Sequence, residues 1–278
     1  MGRKGAGRRE RPGIQSVEIA SRILAAMAEA GQPLQLKDAA RGCGMSAAKV
    51  HRYLVSLTRT NLVAQDGDGR YSIGPAAIAL GLAGLRSLDV VRIASDSLIE
   101  LRDRSGETAV LATWSNAGPI IIRIEESSRP VFMNVRVGST LPILRTAVGR
   151  IFAAYLPRQD TAALLQRERR SNSRTGTRKN LPSAAEILAT TRRHGIAVVG
   201  GDLVPGVTAL AAPVFDHRAR IVASMALLGG PEHLTASPTS AAAALLKTMS
   251  EAASWRLGYR LAGRTGRAAG VGGGAGLR

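Results

Sequence analysis

A chain of 278 residues is long enough for two domains of ordinary size, and with 45% hydrophobic residues it can bury a core in each. Aromatic residues make up only 3%, which excludes a stacking platform for single-stranded nucleic acid; one cysteine, Cys43, excludes an intramolecular disulfide and fits a reducing compartment; and no apolar run approaches the length of a membrane span. The net charge of +18, from 38 Lys and Arg against 20 Asp and Glu, favours polyanionic partners, although a composition rich in Ala, Gly and Arg is also what a GC-rich genome produces.

Residues 1–13, MGRKGAGRRERPG, carry no hydrophobic periodicity and no apolar core of a secretory signal, so they read as a disordered basic arm. Such an arm either touches phosphates or a minor groove, or stays a solvated tail. From Gln15 to Ala30 the apolar residues Val17, Ile19, Ala20, Ile23, Leu24 and Met27 form a helical stripe. A short helix over Leu36 to Arg41 ends at Gly42-Cys43-Gly44, where Cys43 reads as a small buried apolar residue. Ser46 stands at an N-cap position, and a second helix runs from Ala47 to about Thr60 with Val50, Leu54 and Leu57 on its buried side. Ala47, Ala48, Lys49, His51, Arg52 and Ser56 are left on the other side. Small residues at a helix start, flanked by Lys, His and Arg, suit insertion into a DNA major groove. Leu62-Val63-Ala64, the turn Asp66-Gly67-Asp68-Gly69 and Arg70-Tyr71-Ser72-Ile73 complete a hairpin wing. Residues 14–73 therefore read as a winged helix-turn-helix; the competing reading is a pair of core helices with a solvated basic face.

Helical spacing continues through Ala76, Leu80, Ala83 and Leu85 and then Val90, Val91, Ala94, Leu98 and Leu101, with a break near Leu88-Asp89. Residues 74–88 read as a linker helix that either pairs with a partner chain or packs on its own domain. Residues 89–262 read as a mixed domain: strands over Thr108–Trp114, Pro119–Glu125 and Val131–Val137, a helix over Arg145–Leu156, another to about Arg170 with Asp160 as N-cap, a polar loop from Ser171 to Asn180, a helix over Ser183–His194 with Ser183 and Glu186 in capping-box spacing, a strand from Ile196, a hairpin of Thr208–Phe215 with Ile221–Leu228, and a closing helix over Thr235–Leu257. Residues 263–278 are low in complexity; Gly270, Gly272 and Ala275 match a dinucleotide fingerprint, but no helix follows to hold a pyrophosphate, so the segment reads as a disordered tail.

The four histidines, His51, His194, His217 and His233, have no metal-binding partner at helical or turn spacing, and there is neither a nucleophile elbow nor a P-loop. The expectation is a protein that is not an enzyme and uses no cofactor or metal. Its expected place is the cytoplasm.

Three blocks in this order carry a resemblance. The first is Met45-Ser46-Ala47-Ala48-Lys49-Val50-His51-Arg52-Tyr53-Leu54 with the wing behind it. The second is Gly138-Ser139-Thr140-Leu141-Pro142-Ile143 running into Thr146-Ala147-Val148-Gly149-Arg150. The third is Pro205-Gly206-Val207 with Leu210-Ala211-Ala212-Pro213-Val214-Phe215-Asp216. The chain resembles the IclR family of bacterial transcriptional regulators over roughly Ile14 to Leu257. The resemblance implies an α+β chain: an N-terminal winged helix-turn-helix, a linker helix and a C-terminal GAF-like effector-binding domain. It implies homodimers or homotetramers that bind double-stranded promoter DNA and respond to a small-molecule effector. It places Ser46, Lys49, His51 and Arg52 toward DNA, with Arg52 the foremost candidate to read a base and Arg70 to meet the backbone. It lines the effector pocket with Thr146, Ala147, Val148 and Gly149 at a helix start and with Val199, Ala209, Ala226 and Leu228 on strands. Here the chain departs from the family: Leu144 stands where a His is frequent, Arg150 where a Lys is frequent, and those four strand positions where some carboxylate-binding members carry an acid, Cys and Ser. The pocket is therefore expected to be apolar and to favour a hydrophobic or aromatic effector, provided the strand register is right, since a slip of one residue exchanges the two faces. The alternative is an architectural DNA binder whose second domain only dimerises.

Overall fold

The computed structural model describes residues 13–86, 89–129, 135–174, 183–201 and 204–260. The chain divides into two compact units, Met1–Leu88 and Asp89–Arg278. The basic arm before Gly13, the Leu88 side of the expected break and the Gly-rich tail lie outside the described residues.

In the first unit, α1 (Gln15–Ala30), α2 (Leu36–Cys43) and α3 (Ala47–Arg59) pack around Ile23, Met27, Ala39, Val50, Leu54 and Leu57, and the two-stranded sheet β1 (Val63–Gln65) and β2 (Tyr71–Ile73) closes the core with Val63 and Tyr71. Ile19, Ile23 and Met27 recur every four residues and give α1 its buried side. Val17, expected on that stripe, is 60% exposed, because two residues from Ile19 is the opposite side of a helix. Gly44 turns the chain between α2 and α3 at φ +62°, a left-handed conformation that lets the Met45 N–H donate to Ala40 O at 3.1 Å. Ser46 has N-cap backbone geometry, but its hydroxyl makes no capping hydrogen bond. In the β1–β2 turn, one Asp66 carboxylate oxygen accepts from the Asp68 N–H at 3.0 Å and from the Arg70 N–H at 2.8 Å, which fixes the hairpin. Helix α4 (Pro75–Arg86) follows with Ile78 54%, Leu80 66% and Leu82 50% exposed.

The second unit is built on a five-stranded antiparallel sheet in the order β4-β3-β7-β6-β5, with β3 Thr108–Ser115, β4 Gly118–Glu125, β5 Ala197–Gly200, β6 Thr208–Phe215 and β7 Ile221–Gly229. Helices α5 (Val90–Ser105) and α9 (Ala241–Arg256) pack side by side and against β3, β6 and β7. Helix α6 (Ala147–Tyr155) packs on Val110, Ala112, Ile121, Val199, Ala211 and Ala226, and the intervening residues Leu111, Leu210, Met225 and Leu227 are fully buried as well. A sheet covered on both faces explains why these strands read as nearly continuous apolar runs. Helices α7 (Arg158–Arg174) and α8 (Ala184–His194) complete the unit, the latter opened by a full capping box between Ser183 and Glu186. This arrangement is the expected α+β class.

Several boundaries differ from the sequence reading: α2 runs through Gly42 to Cys43, α6 starts at Ala147 rather than Arg145, and three further differences are larger. Residues 135–137 of the expected third strand are not in a strand, and the rest of it lies outside the described residues. Instead the chain runs along β4 one step later: Gly138 N–H donates to Ile121 O, Ile121 N–H to Ser139 O and Leu141 N–H to Pro119 O. Helix α9 begins at Ala241 rather than Thr235, because Pro238 disfavours helix in the residue before it and Ser240 caps the start. Asp160 lies in the first turn of α7, not at its cap, and α7 extends to Arg174 through the first part of the expected polar loop, whose remainder lies outside the described residues.

Candidate functional site

The first candidate surface is the outer side of α3. Burial of Val50, Leu54 and Leu57 leaves Ser46, Ala47, Ala48, His51, Arg52 and Ser56 exposed and Lys49 half-buried, with Ala48, Arg52 and Ser56 stacked at four-residue intervals. None of Lys49, His51 and Arg52 makes an ion pair or side-chain hydrogen bond with a described residue. The Ser56 hydroxyl is turned back on its own helix, donating to Arg52 O at 3.3 Å. Arg70 is exposed at the base of the wing, whose tip carries Asp66 and Asp68. Behind α2, Cys43 packs half-buried on the core, and burial raises its thiol pKa against a smaller opposing pull from Arg22. Burial of this kind disfavours the thiolate and accords with a packing role.

The second candidate is a cavity in the second unit, of about 530 Å³ counted out through its open mouth. Its floor is set by strand register. Val199 pairs with Ala209 and Ala209 with Leu228, while Ala226 pairs with Val110, so these positions share one face of the sheet. Ile121 on β4, Leu141, Val135, Val204 and Val207 add apolar walls. The remaining wall is Arg145, Thr146, Ala147 and Val148, the turn that enters α6. Thr146 caps this helix: its hydroxyl accepts from the Gly149 N–H at 3.0 Å and donates to Pro142 O at 2.6 Å. The N–H groups of Ala147 and Val148 find no acceptor among the described residues, so the positive end of α6 faces the cavity. Apart from Arg145 and Thr146, the lining is apolar.

Of the eight positions assigned to this pocket from the family pattern, seven line the cavity: Thr146, Ala147, Val148, Val199, Ala209, Ala226 and Leu228. Gly149 does not. A side chain there would place its Cβ 2.3 Å from Pro142 O and 2.4 Å from Ile143 O, so glycine is what allows α6 to lie against the preceding turn. The two other departures from the family pattern also turn away from the cavity. Leu144 is buried against Ile143, Ala153 and Ala184, and Arg150 donates from Nε to Leu144 O at 2.7 Å and from a terminal nitrogen to Val198 O at 2.6 Å. Sequence reasoning missed Arg145, the one cationic side chain in the lining, because it reads as the first residue of the helix rather than as part of the turn before its cap. It also missed Val110 and Ile121, whose alternation with Leu111 and Ile120 was the available signal.

Among the described residues no group of three or more His, Cys, Asp or Glu is placed to hold a metal ion, and no helix is long and apolar enough to cross a membrane.

With the geometry established, comparison with known proteins gives a consistent result. Residues 16–67 match the model of the IclR helix-turn-helix domain, and residues 82–255 match that of the bacterial transcriptional regulator IclR C-terminal domain. The chain is 31% identical over 231 residues to the glycerol operon regulatory protein of Streptomyces griseus, covering 80% of this chain and 87% of that protein. It is 29% identical over 217 residues to the HTH-type transcriptional regulator XynR of Escherichia coli (strain K12), covering 78% and 86%. Its fold is similar to the crystal structure of Pseudomonas aeruginosa HmgR, with a TM-score of 0.80 and 38% identity, covering 88% of this chain and 99% of that one.

Proposed function

The chain belongs to the IclR family of bacterial transcriptional regulators, with a helix-turn-helix DNA-binding domain, and from that premise we propose that α3 and the wing read an operator while a hydrophobic or aromatic carboxylate in the cavity of the second unit modulates that binding. The observation that carries the effector half is the composition of the lining: an apolar sheet face opposite Arg145 and the start of α6. Apolar walls reward an aromatic or aliphatic body, while the positive charge of a guanidinium and two helix N–H groups with no acceptor among the described residues reward a carboxylate at one end. An open cavity of this kind speaks against the architectural alternative, in which the second unit only dimerises.

In the DNA half, Ser46, Ala47, Lys49, His51, Arg52 and Ser56 form the surface presented to the major groove, with Arg52 positioned for a bidentate contact and Arg70 for the flanking phosphates. The exposed apolar residues Ile78, Leu80 and Leu82 of α4 suit pairing with a second copy, so the functional species is a homodimer or homotetramer on double-stranded DNA, in the cytoplasm. Coupling follows from linkage. An effector that prefers a spacing of the two DNA-reading units other than the one the half-sites demand weakens DNA binding by the factor by which DNA weakens its own.

The test is an anisotropy titration of the full chain against the DNA upstream of its own gene, with excess unrelated competitor at physiological salt, repeated with benzoate, phenylacetate and cinnamate. Tight binding that survives competitor and shifts with an aromatic acid supports both halves. Binding abolished by competitor sinks operator recognition, and operator binding indifferent to all such acids sinks the effector class.

A further inference from the structure

The turn that delivers Arg145 to the cavity is gripped from behind by a residue that does not line it. Glu168, half-buried on α7, sets its carboxylate against two consecutive backbone N–H groups: Ile143 N–H donates to Oε2 at 2.7 Å, and Leu144 N–H donates to Oε2 at 3.1 Å and Oε1 at 3.2 Å. Hydrogen bonds to an ionised acceptor are roughly twice as strong as neutral ones. Leu164 and Leu165, one turn earlier on α7, pack against the cluster of Ile143, Leu144, Ala153 and Ala184 and so tie α7 to this region. On the carbonyl side, Pro142 O accepts from the Thr146 hydroxyl and Leu144 O from Arg150 Nε. Both edges of the turn are therefore clamped, and the next residue is Arg145.

Resting on the reading of this cavity as a carboxylate effector site, we propose that Glu168 is its positioning residue: through the backbone of Ile143 and Leu144 it sets the direction from which Arg145 and the first N–H groups of α6 meet the ligand. A positioning role and a charge effect predict opposite signs. A carboxylate behind an anion site repels the anion, so removing its charge tightens anion binding if charge is all that matters. Loss of the clamp loosens the turn and weakens binding.

The experiment uses the full chain and the variants Glu168→Gln and Glu168→Asp. Gln keeps the size but gives up the charge and, with its oxygen in place of Oε2, sets an amide NH2 against the Leu144 N–H; Asp keeps the charge but is one methylene short. Calorimetry with benzoate, phenylacetate and cinnamate gives affinity, and amide hydrogen exchange over residues 141–150 gives the state of the turn. Both variants are expected to exchange faster at Ile143 and Leu144 and to bind the acids about tenfold more weakly, with DNA affinity in the absence of acid unchanged. An electrostatic role would leave Asp like the wild type and make Gln bind more tightly, which overturns the proposal. Unchanged exchange in both variants overturns it, as does faster exchange with unchanged affinity. A wild type that binds none of the three acids overturns the underlying effector reading instead, and is told apart because the failure is then in the parent chain and not in the variants.

Discussion

The outer side of α3 and the turn before α6 are both cationic, polar surfaces at the start of a helix, yet they are built in opposite ways. On α3, Lys49, His51 and Arg52 have no partner among the described residues, and even the N-cap hydroxyl of Ser46 is left without its usual bond. Before α6, Pro142 O, the N–H groups of Ile143 and Leu144, Leu144 O and the hydroxyl of Thr146 are bound within the protein. A surface that meets a large polyanion gains by keeping its donors unspent, because phosphates and base edges supply the partners on contact. A cavity that meets a small molecule has few contacts to offer and must hold them in place beforehand.

The most severe test of this contrast is Gly149→Ala. Its Cβ would collide with two backbone carbonyls that cannot swing aside, so it is expected to destabilise the second unit by about 3 kcal/mol and to lower its denaturation midpoint while leaving the melting of the first unit unchanged. Next comes Arg52→Ala, expected to cost about 1–3 kcal/mol of operator affinity by anisotropy if it reads a base, with no change in folding stability, since the side chain has no partner among the described residues. Thr146→Ala removes a cap that is made, and should cost about 1 kcal/mol in urea unfolding. Arg70→Ala should weaken binding to all DNA sequences alike and lower the slope of log affinity against log salt by about 1. Smallest is Ser46→Ala: its capping bond is absent, so stability should stay within a few tenths of a kcal/mol. If Ser46→Ala proves as destabilising as Thr146→Ala, the contrast between the two helix starts fails.

How much of this was legible beforehand follows the range of the forces involved. The first unit was nearly transparent, because α1, α2 and α3 are set by local periodicity, a left-handed glycine at Gly44 and one hairpin turn. Val17 misled only because an apolar residue at a helix start need not face the core. In the second unit, Val199, Ala209, Ala226 and Leu228 came to one face because antiparallel pairing fixes alternation over long stretches. What escaped was contributed by residues distant in sequence. Glu168 looks like any charged residue on a surface helix, and its 25-residue reach to Ile143 is a property of the packed unit. Gly149 looked like part of a ligand turn, and its reason is the approach of a carbonyl that only the fold brings near. Arg145 was assigned to the helix although Thr146, one of the residue types that cap helices, stands directly after it; that signal was local and available.

The floor of the cavity has one more consequence. At Ala209 and Ala226 it consists of single methyl groups standing on hydrogen-bonded strands whose neighbours on the opposite face, Leu210, Met225 and Leu227, are fully buried. The two alanines are not alike: Ala209 is half-buried, whereas Ala226 is fully buried among the residues on which α6 packs. Enlarging Ala209 by a methylene or two takes room from the guest at little expense to the unit, while the same change at Ala226 overpacks the core beneath α6. Descendants of such a scaffold can exchange one ligand for a smaller one in a single mutational step at the first position but not at the second.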